Sequence, residues 1–206
     1  MGGRWFRRLA QVAGMVVFAG MHADGKTIIR PVDVVLYVDG IGYPPGPVDL
    51  DARVTVKRMY ERLGISLVWR EGSPKRGVVA GTVIIQIRFT RDSPRSASAN
   101  ALAFALPFAD GANAITVMYK RIDAIADGNA TLARCLLAHV LAHEIGHVLQ
   151  GTNMHSETGV MQAEWNGPEY RAMVRRPLEF TREDAVMIVK GLAAWKLRAA
   201  GEPAKP

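Results

Sequence analysis

His143-Glu144-Ile145-Gly146-His147 is the segment of this chain best equipped for chemistry. Two histidines four residues apart fall on one face of a helix, separated by roughly 6 Å of rise. At that spacing both imidazoles can reach one zinc ion at about 2.0–2.1 Å. Glu144, one position on, flanks such an ion rather than ligating it, and from there its carboxylate can take a proton from metal-activated water. With 5 histidines and 9 glutamates in 206 residues, the pattern is expected by chance about 0.005 times per chain, so it counts as signal. A helix that buried two histidines and a glutamate for packing alone would leave costly unpartnered polar groups, and a metal removes that cost.

Zinc needs at least one more protein ligand. His155 is the first candidate, because Gly151 can turn the chain back under the metal. Glu157 and Glu164 are rivals. His139, one turn before His143, is an extra ligand, a support for one, or a core residue with a hydrogen bond. Cys135, a further turn back, reads as packing. Tyr170 is a candidate for stabilising an oxyanion.

The stretch from His143 to His155 resembles the zinc motif of the metzincin metallopeptidases, His-Glu-x-x-His-x-x-Gly-x-x-His followed by a methionine-containing turn. Here the glycine, Gly151, comes one residue late and the third histidine, His155, two residues late, with Asn153 at the usual third-ligand position. Ser156-Glu157-Thr158-Gly159-Val160-Met161 resembles the Met-turn, with Met161 under the metal. Ala163 stands where some metzincins carry a tyrosine. The resemblance covers about residues 32–195, and its specific part is the zinc motif.

The resemblance implies an α+β domain: a mixed twisted sheet with an antiparallel edge strand, a buried active-site helix and a C-terminal helix. It implies a zinc-dependent endopeptidase in which His143, His147 and His155 hold Zn2+ and Glu144 is the general base. The partner would be a peptide or protein substrate, extended against an edge at residues 101–106 by β-augmentation. The alternative from another class is a non-catalytic, zinc-stabilised binding module on the same fold. A base beside an open metal position argues against that alternative, since structural sites close all four positions.

The elements that must position these residues are legible in outline. Residues 32–38 are a β-branched run ending at Asp39-Gly40, a buried strand and a turn. Residues 48–63 carry Val54, Met59 and Leu63 among charges and close at Gly64, a surface helix. Residues 65–69 read as a second strand. Val83, Ile85, Ile87 and Phe89 alternate with Ile84, Gln86 and Arg88, a third strand with one buried face. A polar loop at 91–100 precedes two strands, 101–108 and 114–122, that flank Ala109-Asp110-Gly111-Ala112-Asn113 as an antiparallel pair. Residues 131–150 are apolar nearly all round, which predicts a buried helix. Asn129 or Thr131 can cap its start and Gly151 can end it. Asn129-Ala130-Thr131 also matches a glycosylation acceptor, but the cap is the better use of these residues. A last helix starts near Thr181, with Glu183 and Asp184 in its first turn, and runs to about Leu197. Residues 200–206 read as frayed.

Composition sets the outer limits. The chain is 49% hydrophobic and 22% charged, which excludes wholesale disorder, collagen and a polytopic membrane protein. A single cysteine excludes an intrachain disulfide and a four-cysteine zinc site. The net charge of +7 is scattered and builds no basic block with interleaved aromatics, so no nucleic-acid partner is expected. Residues 1–23 hold Arg4, Arg7 and Arg8, then an apolar run too short for a comfortable membrane span. They read as an export signal, with Met21 imperfect at the cleavage site and a membrane tether as the minority reading. Residues 24–206 then form a single catalytic domain of a secreted protein, with no room expected for a propeptide before the first strand.

Overall fold

The computed structural model describes residues 33–74, 82–92, 98, 100–109 and 112–199. The export signal at 1–23, part of the 91–100 loop and the frayed 200–206 lie outside them. In chain order the elements are β1 (Val34–Gly40), α1 (Gly46–Glu61), β2 (Leu67–Glu71), β3 (Val83–Phe89), β4 (Ala103–Ala109), β5 (Ala112–Val117), α2 (Tyr119–Ala126), α3 (Ala130–Gln150), α4 (Gly167–Arg175) and α5 (Arg182–Ala199).

The five strands form one mixed sheet in the order β2-β1-β3-β5-β4. β1 runs parallel to β2 and β3, and β3 parallel to β5. β4 pairs antiparallel with β5 and forms an edge, with Ala103 opposite Val117 and Ala105 opposite Ile115. This is the α+β architecture with an antiparallel edge strand that the sequence predicts. β3 matches its alternation: Val83, Ile85, Ile87 and Phe89 are buried.

Two of the predicted elements depart from expectation, and one helix, α4, was not predicted. The strand read at 114–122 stops at Val117, and residues 119–122 open α2. The burial period changes there: Ile115 and Val117 are two apart, whereas Tyr119, Ile122 and Ala126 follow a helical spacing. In α1 the buried stripe is Val48, Ala52, Val56, Met59 and Tyr60, while Val54 is 41% exposed. The helix also starts two residues early, because Pro47 is tolerated in a first turn.

α3 is the centre of the molecule and touches α1, α2, α4, α5 and β4. It is long and apolar enough to cross a membrane, but 83% of that apolar window is buried inside the protein. Asn129 Oδ1 accepts the Leu132 amide at 3.0 Å, so Asn129 caps the helix. Gly151 ends it in the left-handed region, φ 68°. Tyr60 of α1 is fully buried and donates its hydroxyl to the Ala142 carbonyl at 2.8 Å, tying α1 to α3 one residue before the histidine motif.

Candidate metal centre

His143, Glu144 and His147 all lie in the buried stretch of α3, each less than a tenth exposed. The chain leaves α3 at Gly151 and returns with His155, an exposed residue whose ring meets the other two. His147 Nε2 is 2.9 Å from His143 Nε2 and 3.3 Å from His155 Nε2. One nitrogen from each of the three lies within 4.8 Å of the others. A tetrahedral ion bound at about 2.0–2.1 Å needs its ligand nitrogens about 3.3 Å apart, so the cluster fits a metal. Among the described residues these three histidines are the one such group, and neither Glu157 nor Glu164 joins it.

The tautomers favour coordination. His143 Nδ1–H donates to the Val160 carbonyl at 2.9 Å, and His147 Nδ1–H to the Thr152 carbonyl at 2.9 Å. A carbonyl only accepts, so each ring keeps its proton on Nδ1 and turns the Nε2 lone pair toward the cluster. Burial, with the neighbouring His147, lowers the His143 pKa to about 4, and burial lowers that of His147 as well. Both rings are therefore neutral near pH 7, as ligation requires.

The loop after His155 closes beneath α3. The Ser156 amide donates to the Met161 carbonyl at 2.9 Å, which shapes the turn whose Val160 carbonyl holds His143. Met161 is fully buried against Gly146. Ser156 Oγ donates to Asp184 at 2.5 Å, and Asp184 also accepts the Thr181 amide at 3.0 Å at the start of α5. Asp184 is buried and thus ties the residue after His155 to the C-terminal helix.

His139 is a core residue and no ligand. Its Nδ1–H donates to the Cys135 carbonyl at 2.6 Å, and its Nε2 accepts the Leu178 amide at 2.8 Å. Both ring nitrogens are thereby satisfied with the ring neutral, and burial lowers its pKa to about 4.

Glu144 points to the edge strand. The Met118 amide donates to the Leu102 carbonyl at 2.9 Å, so residue 102 faces β5. By the alternation of an antiparallel ladder, residues 103 and 105 turn their amides and carbonyls to the open side, whereas the Ala101 amide, before the strand, donates to the Ser98 carbonyl at 3.2 Å. The Ala105 backbone comes close enough to the Glu144 carboxylate to favour its ionised form. Burial raises the Glu144 pKa to about 8, with the Ala105 backbone opposing the rise.

Between edge and helix lies a cavity of about 760 Å³. Residues 100–105 line it, together with His143, Glu144, His147, His155 and Tyr170. Tyr170 is thus in the same cavity as the histidines, carried there by α4. That helix escaped the sequence reading, although Asn166 and Glu169 form a capping box around Pro168. Sequence reasoning also missed Trp165, whose ring stands edge-on to His143 at 5.4 Å and whose Nε1–H donates to the Gly159 carbonyl. It missed the anchoring role of Asp184 as well.

Three imidazoles, a carboxylate in the same cavity and an open strand edge can bind a dication and hold an extended chain next to a base. The chain matches no family model and no curated protein.

Proposed function

We propose that this chain is a zinc-dependent, metzincin-like endopeptidase, exported from the cell, with residues 24–206 as its catalytic domain. The observation that carries this reading is the position of Glu144: buried one residue from His143 in the same cavity as the three histidines, and facing the edge-strand backbone at Ala105. A structural metal site has no use for such a carboxylate. Three imidazoles suit zinc among the available dications. When bound, zinc supplies Lewis acidity, polarising the scissile carbonyl and acidifying water toward a pKa of about 7.

The rest is done by the protein. A peptide lies along the open side of β4, pairing with Ala103 and the Ala105 carbonyl. Glu144 takes a proton from the attacking water and returns it to the leaving amine. A dication at the histidine cluster favours the ionised carboxylate, offsetting the effect of burial. Trp165 and the Val160 and Thr152 carbonyls keep the ligand rings in place.

The test is hydrolysis of internally quenched peptides by the zinc-loaded full chain, the chelated chain and Glu144→Gln. The wild type should cleave. Glu144→Gln should keep its zinc and lose about 10²–10⁴-fold in rate, as loss of a general base does. Full turnover by Glu144→Gln at unchanged zinc content sinks the mechanism. Peptide binding without cleavage by the wild type identifies a non-catalytic binding module instead.

A further inference from the structure

We propose that Arg121 binds a carboxylate of the substrate on the C-terminal side of the cleaved bond, an assignment that rests on the peptidase reading above. Arg121 sits in α2 and lines the same cavity as His143 and Glu144. It is the one lysine or arginine among the described residues that does so. Its Nη1 donates to the Ser98 carbonyl at 2.9 Å and the Ala101 carbonyl at 2.5 Å. Both partners are neutral, and among the described residues Arg121 forms no ion pair. Both bonds use Nη1, so they do not consume the Nε–Nη2 edge, through which a guanidinium grips a carboxylate with two parallel bonds.

Its place on the edge strand gives the direction. Ala103 and Ala105 face the open side, and Ala101, just before the strand, has its amide bonded to Ser98 and its carbonyl to Arg121. Ala105 faces Glu144 and Ala101 is held by Arg121, so of the open edge residues Ala103 lies between base and cation. From Ala105 to Ala101 is about 13 Å of extended chain. A substrate strand pairs more stably when antiparallel to β4, and then its C-terminal side runs toward Ala101. The residues that follow the cleaved bond pass Ala103 and reach Arg121 after roughly two to four positions. A cation without an acidic partner at the end of a short binding edge selects negative charge there. That charge is either an aspartate or glutamate side chain or the terminal carboxylate of a peptide ending at that point.

The experiment measures binding, so that it stands apart from hydrolysis. Zinc-loaded Glu144→Gln of the full chain is titrated into fluorescent alanine-based octapeptides, with anisotropy as the readout. One set is neutral and amidated, one carries a free C-terminal carboxylate, and one is amidated with glutamate placed at each position in turn. The carboxylate peptides should bind about 10- to 100-fold tighter than the neutral set, the worth of a charge-assisted hydrogen bond. The set that carries the preference identifies the source of the carboxylate. Adding Arg121→Gln should bring the ratio near one, and Arg121→Glu should invert it. Arg121→Lys, which keeps the charge, should keep part of it. A ratio is read because loss of the Ser98 and Ala101 anchors weakens every peptide alike. Equal binding of acidic and neutral peptides, or a preference that survives Arg121→Gln, overturns the assignment. If the preference is present but the wild type cleaves none of these peptides, the peptidase reading fails while Arg121 stands as a carboxylate site.

Discussion

Met161 lies so close beneath Gly146 that a β carbon built on the glycine would stand 2.6 Å from Sδ and 3.1 Å from Cε. The glycine inside the histidine motif is therefore the space into which the turn after His155 packs. The same turn holds the carbonyl that orients His143, so packing under α3 and ligand orientation are one piece of structure.

Gly146→Ala should accordingly destabilise the protein by about 1–3 kcal/mol, as overpacking of a filled core does. Met161 is fully buried, so its Sδ and Cε must shift within the core to admit the methyl group. The double variant Gly146→Ala with Met161→Ala should cost less than the sum of the two single changes. Urea denaturation of all three variants gives the coupling, and strict additivity would show that the two residues do not meet.

Among the described residues His155, and neither Glu157 nor Glu164, completes the cluster that could hold a metal. His155→Ala should weaken zinc binding by more than the roughly 10–100-fold that follows loss of a group merely supporting a ligand. Asn153→Ala, Glu157→Ala and Glu164→Ala should leave it largely intact. Zinc stoichiometry after dialysis against a chelator, with the variants in parallel, checks this. Metal lost from Glu157→Ala and kept by His155→Ala would dismantle the three-histidine site.

Asp184→Ala should act at two places. It removes the acceptor for the Thr181 amide at the start of α5 and the anchor for Ser156 beside His155. A lost cap and a lost buried hydrogen bond together cost about 1–3 kcal/mol. Zinc affinity should fall as well, whereas Glu183→Ala, at an exposed neighbour, should change neither. Unfolding midpoints and zinc titrations on both variants make the comparison.

His139 predicts part of the acid sensitivity. Its folded pKa of about 4 lies below the ordinary 6.5 because the buried ring is held neutral. The unfolded chain therefore binds more protons between these values, so stability is fully present above pH 6.5 and is lost as pH falls toward 4. The loss by pH 4 is on the order of 3 kcal/mol. His143 and His147 share the same direction, so the effect is isolated by difference in metal-free protein. His139→Gln should lose up to one proton's worth of the slope, about 1.4 kcal/mol per pH unit. An unchanged slope would mean that His139 does not titrate in the unfolding reaction.

What the sequence determined by itself is local. The His-Glu-x-x-His spacing puts two imidazoles and a carboxylate on one helix, apolar flanks require that helix to be buried, and Asn129 and Gly151 mark its ends. The alternation of Val83, Ile85, Ile87 and Phe89 places β3 without reference to any neighbour. Each of these follows from a period of 3.6 or 2 and from cap chemistry, which act over a few residues. Where two periods meet, as at Val117 and Tyr119, or where two apolar stripes compete, as with Val54 and Val56, local pattern did not decide, because burial depends on what packs opposite. The grouping of the three histidines came from the tertiary structure. The choice of His155 over Glu157 and Glu164, the Val160 and Thr152 carbonyls that orient the rings, and the Asp184 anchor depend on how the chain returns after Gly151. The approach of Glu144 to the Ala105 backbone joins residues 39 apart in the chain, and Arg121 meets the same edge from a helix that follows it. Such contacts leave no periodic trace in sequence, since they are made only when the sheet edge and α3 are packed face to face.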